Sequence, residues 1–289
     1  MKSVWSVAVF AHNEADTIAR CLDAIRSDDP EVEIRIEVLV NGTRDNTMAI
    51  VGAYDAGPNR TVTGHDIQLG DKSNAWNLFT HEFAGEADIY FYTDGDCWIE
   101  PGSLDAVAAA MRDNSVINAV STMPLAGRSK ERWRASLLAN QELTGNLYAL
   151  TPAFVRRLRD GAVRLPVGMI GDDSLMGALC HWDLKPFGEW RDELVLPCEA
   201  AGFHFQPLSV FSLDDLRQQF RRMIRYSIRW WQLRMLDAIF REEGIAGMPA
   251  HVDILYRRKC SMCKARRDPT WFMWDVLAIR RMRRAALQA

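Results

Sequence analysis

Apolar and polar positions follow two alternating rhythms through the first 124 residues. Residues 4–10, VWSVAVF, form a short β-branched run that predicts a buried strand, and Ile18, Cys21, Leu22 and Ile25 then recur at helical spacing. The unit repeats. Residues 32–40 are strand-like and meet a turn at Asn41-Gly42, with Asp45 and Thr47 placed to cap a helix carrying Met48, Ile50 and Val51. Residues 61–67 predict a third strand, and Ser73 is the expected cap of a helix carrying Trp76, Leu78, Phe79 and Phe83. Residues 89–93 predict a fourth strand, Pro101 the first residue of a helix through Met111, and residues 116–123 a fifth strand.

Strands alternating with helices of about ten residues call for an α/β fold, Rossmann-like, with a mostly parallel sheet flanked by helices. Ligands of such sheets lie beyond the carboxyl ends of the strands, so the loops at 11–14, 41–46, 70–74 and 94–97 are expected to converge on one crevice. After residue 124 the rhythm breaks. Residues 127–132 read as a mobile polar loop, and 127–133 as a candidate lid. Residues 214–240 and 271–287 read as helices, with a Gly/Pro-containing connection at 244–249. The expected division is a nucleotide-binding domain over 1–212 and a basic, Trp-containing helical segment over 213–289.

The charge is unevenly shared. The net charge is -3, yet from Arg217 to the last residue there are 17 Lys and Arg against 6 Asp and Glu, so the last quarter is strongly basic and the rest acidic. An acidic main domain argues against nucleic acid as a partner. The basic tail suits anionic lipid or a phosphate-bearing substrate. Six scattered cysteines and no secretion signal point to a reducing cytoplasm. No stretch approaches the roughly 18 apolar residues of a membrane span, so the expected location is cytoplasmic, with the inner face of the membrane as a docking place.

The sharpest chemical signal is Asp94-Gly95-Asp96, two carboxylates at the end of the fourth strand with a glycine that lets the backbone turn. Hard cations want such oxygens, and Mg²⁺ or Mn²⁺ held there would neutralise charge growing on a departing diphosphate. Gly171-Asp172-Asp173-Ser174 opens a helical stretch; its acids either cap the helix or supply a base for a hydroxyl. Lys72, in Gly70-Asp71-Lys72-Ser73-Asn74, sits at a helix start suited to phosphate oxygens.

In order and spacing, residues 7–14, 38–47 and 70–77, the Asp94-Gly95-Asp96 triplet and Gly171-Asp172-Asp173 resemble the family 2 glycosyltransferases over about residues 4–230. The resemblance implies the GT-A fold, inversion at the anomeric carbon and a divalent metal. It makes Asp96 the main metal ligand, Asp94 a partner of the metal or donor ribose, and Asp173 the catalytic base beside Asp172. Ala11, Asn13, Glu14, Asn41, Lys72 and Gly95 join Asp94 and Asp96 as donor-binding positions. The donor is expected to be a UDP-sugar first, with GDP- and dTDP-sugars as alternatives, and the acceptor a glycan or a lipid-linked hydroxyl.

Two departures bear on that reading. Val40 and Asn41 replace the acids that usually help read the nucleobase, which leaves the base open. Gln218, Arg221 and Arg222 resemble a Gln-x-x-Arg-Trp element without its Trp and are candidate acceptor or diphosphate contacts. His12 lies beside the expected crevice. His204 as a third metal ligand, and a metal on Cys260 and Cys263, are disfavoured. Trp230, Trp231, Trp271 and Trp274 among arginines read as helix packing or as a peripheral membrane contact. Competing functions are a nucleotidyltransferase, which would want a Gly- and Lys/Arg-rich loop where Ala11-His12-Asn13-Glu14 stands, and a non-catalytic nucleotide-sugar-binding protein.

Overall fold

A computed structural model describes residues 2–206 and 213–288. The expected boundary at residue 212 falls outside the described residues.

Strands β1 (Ser3–Ala11), β2 (Val32–Asn41), β3 (Arg60–Ile67) and β4 (Ile89–Asp94) alternate with helices α1 (Ile18–Ala24), α2 (Thr47–Gly52) and α3 (Lys72–Leu78). They pair in parallel in the order β3-β2-β1-β4, the chain building from β1 outward through β2 and β3 and then crossing to place β4 on the other side of β1. The second half is mixed. β5 (Cys97–Ile99), α4 (Ser103–Asp113), β6 (Ala119–Pro124), α5 (Lys130–Asn140), β7 (Leu147–Leu150), α6 (Pro152–Asp160), α7 (Asp172–His181) and β8 (Val195–Phe205) extend the sheet as β4-β7-β6-β8-β5. β7 runs antiparallel to both β4 and β6, β8 parallel to β6, and β5 antiparallel to β8. After residue 124 the chain adds the four-residue β7, antiparallel to its neighbours, and the eleven-residue β8, which ends the regular alternation of parallel strands and helices.

Alternate residues of β1 serve two cores, as a strand's period of two requires. Val7 and Val9 face a cluster with α1 and α4, while Ala8 and Phe10 face one containing Trp76, Phe79, Tyr92, Tyr148 and Phe154. Tyr92 stacks on Tyr148 at 4.8 Å and on Trp76 at 5.5 Å, and Trp76 Nε1 donates to the Tyr148 hydroxyl at 2.7 Å. Phe79 and Phe154, both fully buried, contribute about 1.5–3 kcal/mol each by burial alone.

The same cluster takes in the C-terminal helices α8 (Leu213–Glu243), α9 (Val252–Lys259) and α10 (Pro269–Gln288). Ile224, Ile228, Trp231, Met235 and Ile239 give α8 one apolar face, which joins the core cluster that also holds Leu175, Met176 and Leu179 of α7. Between α8 and α10 the buried Asp275 receives the Arg266 guanidinium at 2.7 and 2.8 Å and the Ser227 hydroxyl. No helix among the described residues is long and apolar enough to cross a membrane.

Several expectations are corrected. Asp71, not Ser73, caps α3: its Oδ1 accepts from Asn74 N at 2.7 Å, while the Ser73 hydroxyl donates to Met169 O. Pro101 lies in the turn ahead of α4, which starts at Ser103. The expected loop at 127–132 is a short turn followed by α5, and Trp133 packs edge-on against Phe203 and Phe205 of β8. The polar run at 128–132 hid a helix that is anchored inward by the buried Leu137 and the half-buried Trp133.

Candidate active site

The parallel half places the ends of β1, β2 and β4 side by side, with Phe10 opposite Asp94 and Ala11 opposite Val40. Beyond them the loops are tied together. His12 Nδ1 lies 2.7 Å from Asn41 O, Asn13 N donates to Thr43 Oγ1 at 3.2 Å, and Glu14 N donates to Thr47 Oγ1 at 2.8 Å. Gly42, at φ 57°, is required by packing as well as by conformation, since a Cβ there would sit 2.4 Å from Gly70 Cα. Asn41 is buried, and both its amide hydrogens are used, on Ala11 O and Leu39 O at 3.1 Å each. It therefore offers a nucleobase only an acceptor oxygen. Burial raises the Glu14 carboxyl above its ordinary range despite the Thr17 hydroxyl at 2.7 Å.

Asp94 and Asp96 project from the turn between β4 and β5, closed by Gly95 N donating to Phe10 O at 2.8 Å. Ligand atoms of Asp94, Asp96 and Cys97 lie within 4.8 Å of one another. Two carboxylates and a sulfur converging at this spacing suit one divalent cation, with the carboxylates as the hard donors. Asn146, beside β7, braces the group: its Nδ2 is 3.5 Å from Asp94 Oδ2 and 3.1 Å from Cys97 Sγ.

Lys72 is engaged differently from a bare phosphate-binding lysine. Its Nζ lies 2.6 Å from Asp94 Oδ1 and 3.5 Å from Asp172 Oδ2, and donates to Gly145 O at 3.2 Å. The ammonium is thus the bridge between the strand-end acids and those of α7. Burial favours its neutral form, but Asp172 and Asp94 outweigh that and keep it charged. Asp94 is pushed up to about 7, by burial first, with Lys72 pulling it down and Asp96 adding to the rise.

Asp172 and Asp173 open α7, where the helix dipole favours negative charge. Among the described residues Asp172 Oδ2 is buried without a hydrogen bond and is answered by the Lys72 ammonium. Asp173 Oδ1 accepts from Ser174 N at 2.8 Å and faces Arg229 Nη2 at 3.4 Å. Burial raises the Asp173 carboxyl, and Arg229 works against it. Gly145 lets β7's approach come close, since a Cβ there would lie 3.2 Å from Asp173 Oδ2.

Asp173 also lines a cavity of about 840 Å³ bounded by the 127–129 turn, α7 and α8. Gln219, Arg222, Tyr226 and Arg229 form the α8 wall, at the spacing of one helix face. Of the three α8 residues expected at the site, Arg222 is there; Gln218 and Arg221 fall on the neighbouring exposed strip and do not line the cavity. Gln219, Arg229, Gly145 and Asn146 had not been expected. Helical spacing from Arg222 could have pointed to Arg229, while nothing in the sequence marked Asn146. His204 is not with the acids: it pairs with Glu100 at 2.7 Å and stacks on Trp98.

The mixed eight-stranded sheet flanked by helices is the GT-A fold of glycosyltransferases, and the acidic cluster lies at the ends of its parallel strands with a second acidic pair across a bridging lysine. Residues 6–164 match the model of Glycosyl transferase family 2, and the chain belongs to that family. Glycosyltransferase AglE of Haloferax volcanii is 30% identical over 243 residues, covering 81% of this chain and 75% of that protein. Among solved structures, the mannosyltransferase PcManGT from Pyrobaculum calidifontis, in complex with GDP-Man and Mn²⁺, aligns with a TM-score of 0.59 at 16% identity, covering 100% of this chain and 76% of the other. Glucosyl-3-phosphoglycerate synthase from Mycobacterium tuberculosis, with Mn²⁺ and UDP-glucose, aligns with a TM-score of 0.52 at 18% identity over 79% of each chain. Both alignments bear on the fold.

Proposed function

We propose that the protein transfers a sugar from a nucleoside-diphosphate sugar to a hydroxyl of a glycan or lipid-linked acceptor, with inversion at the anomeric carbon. The observation that carries this reading is the position of Asp173, between the Lys72–Asp94–Asp172 cluster and a cavity wide enough for an acceptor. Asp173 takes the acceptor hydroxyl proton, the oxygen attacks the anomeric carbon, and the bond to the diphosphate breaks on the opposite face with its electron pair. Asp94 and Asp96 would hold Mn²⁺ or Mg²⁺, which when bound would neutralise the charge of the departing diphosphate. Lys72 holds Asp94 in place, and Asp172 balances the lysine.

The loops at Ala11, Asn13, Glu14 and Asn41 would take the nucleoside, and Gly95 the close approach of the diphosphate. UDP-sugars remain the first expectation; the whole-chain likeness to a GDP-Man-bound mannosyltransferase puts GDP-sugars beside them. A place at the inner face of a membrane is supported by the basic tail and by Phe220, Phe272 and Met273, exposed at the start of α8 and α10. The test is a thermal-shift screen against UDP, GDP, dTDP and CMP and their sugars, with and without Mn²⁺. A shift for one nucleotide that needs Mn²⁺ and is lost in Asp96→Ala supports the reading, while no shift with any of them sinks it.

A further inference from the structure

The cavity beside Asp173 holds more positive charge than its own carboxylates use. Arg128, Arg222 and Arg229 line it against Asp173 and Glu142. Arg229 is committed to Asp173 and to the Ser174 hydroxyl, and Glu142 accepts from Asn140 and Ser136 rather than from an arginine. Among the described residues Arg128 and Arg222 have no carboxylate partner. None of Asn41, Lys72, Asp94 or Asp96 lines this space, so the two guanidiniums stand on the acceptor side of the base.

We propose, building on Asp173 as the base, that the acceptor is a phosphorylated saccharide, its phosphate or diphosphate held by Arg222 and Arg128. Planar guanidiniums meet phosphate oxygens with paired, charge-assisted hydrogen bonds, which a neutral glycan does not need. The spacing along α8 sets where the anion lies. Arg222 is seven residues before Arg229, about 10 Å along the helix axis at 1.5 Å per residue, and Arg229 touches the base. That separation leaves a sugar ring between the reacting hydroxyl and the phosphate. Trp133 and Tyr226, also in the lining, supply flat surfaces for that ring. The phosphate-bearing end can belong to a water-soluble sugar phosphate or to a lipid headgroup, and the two share this recognition.

The experiment uses the full chain in EDTA, so that the strand-end acids hold no cation, and follows tryptophan fluorescence during titration with inorganic pyrophosphate. Saturable binding is expected, weakened at least about ten-fold in Arg222→Gln, as loss of a charge-assisted pair implies, and further in Arg128→Gln/Arg222→Gln. A polyprenyl monophosphate in detergent micelles that binds tighter than pyrophosphate assigns the lipid-borne form; binding that is equal or weaker assigns the soluble one. No saturable pyrophosphate binding, or the same affinity in wild type and double variant, overturns the proposal. So does an Arg222→Gln protein whose Mn²⁺-dependent nucleotide binding falls as much as its pyrophosphate binding, since the arginine would then serve the donor. Failure of nucleotide binding in the wild type is a separate result, which strikes the glycosyl-transfer reading and leaves the anion site standing.

Discussion

Arg229 Nη2 lies 3.4 Å from Asp173 Oδ1, so the carboxylate at the start of α7 is held by a cation from α8, fifty-six positions further along the chain. Burial raises this acid and Arg229 opposes the rise. Removing the guanidinium in Arg229→Gln therefore lifts the Asp173 pKa, and the acid limb of the kcat profile moves to higher pH. Asp173→Asn should lose roughly 100- to 10,000-fold in kcat, the usual worth of a general base. A pH profile of Arg229→Gln that superimposes on the wild type would refute the coupling.

Lys72 yields a prediction about charge balance. In Lys72→Met the Asp94 and Asp172 carboxylates lose their shared cation, and the Asp94 carboxyl, already pushed up to about 7, rises further. A raised acid contributes stability at low pH that is lost as pH climbs through its folded pKa. The variant should thus be close to wild type near about pH 6 and clearly less stable near about pH 8, without metal. Added Mn²⁺ should recover more of the melting temperature in the variant than in the wild type. Equal melting curves at both pH values would show that Lys72 does not hold these acids.

The Arg266–Asp275 pair ties α10 to α8. Asp275 is fully buried, and although burial opposes its charge, the hydrogen bonds from Arg266 and Ser227 hold its carboxyl below the usual range. Such a group adds stability above its unfolded pKa, and that stability is lost as pH falls through the folded value. Arg266→Met leaves a buried charge unpaired and should cost about 3–5 kcal/mol in urea unfolding at neutral pH. Its pH dependence should also change sign, the variant gaining stability as pH is lowered towards the carboxylate range. A loss below about 1 kcal/mol would place the pair among surface ion pairs in worth.

The parallel half of the fold was legible because β1 and β4 are apolar runs, β2 alternates apolar with charged positions, and each strand is followed by a turn containing Gly, Asn or Asp. Asp94-Gly95-Asp96 could be found for the same reason, as polar residues fixed to the end of an apolar strand. β5 and β7 were not visible: three- and four-residue strands such as Cys97–Ile99 and Leu147–Leu150 are too short to show a period. The site residues missed lie on that half or across a tertiary contact. Asn146 earns its place only because β7 pairs with β4, and Arg229 only because α8 folds back over α7. Lys72 was found by its position, but its engagement with three elements at once, through Asp94, Asp172 and Gly145, could emerge only from the assembled fold.

The tryptophans of the tail divide between packing and surface in a way that changes the membrane prediction. Trp231 is buried, and Trp230 and Trp271 are covered by the Arg266 guanidinium at 4.3 and 4.6 Å. Outward on the tail, beside others such as Met262 and Leu287, lie Phe220, Phe272 and Met273, 47, 52 and 51% exposed, with Phe220 meeting Trp274 at 4.9 Å. Arg221, Arg225 and Arg267 are exposed nearby in sequence. Anionic headgroups attract such cations with about 1 kcal/mol each, and a buried Phe or Met side chain adds about 1.5–3 kcal/mol. The chain should therefore sediment with phosphatidylglycerol-containing vesicles and not with pure phosphatidylcholine, and release as salt is raised. Phe272→Ser/Met273→Ser should weaken that binding at least about ten-fold, since even 1.4 kcal/mol is a factor of ten. Binding that survives the double substitution but is lost on raising salt would mean that the arginines act alone and the apolar patch stays out of the bilayer.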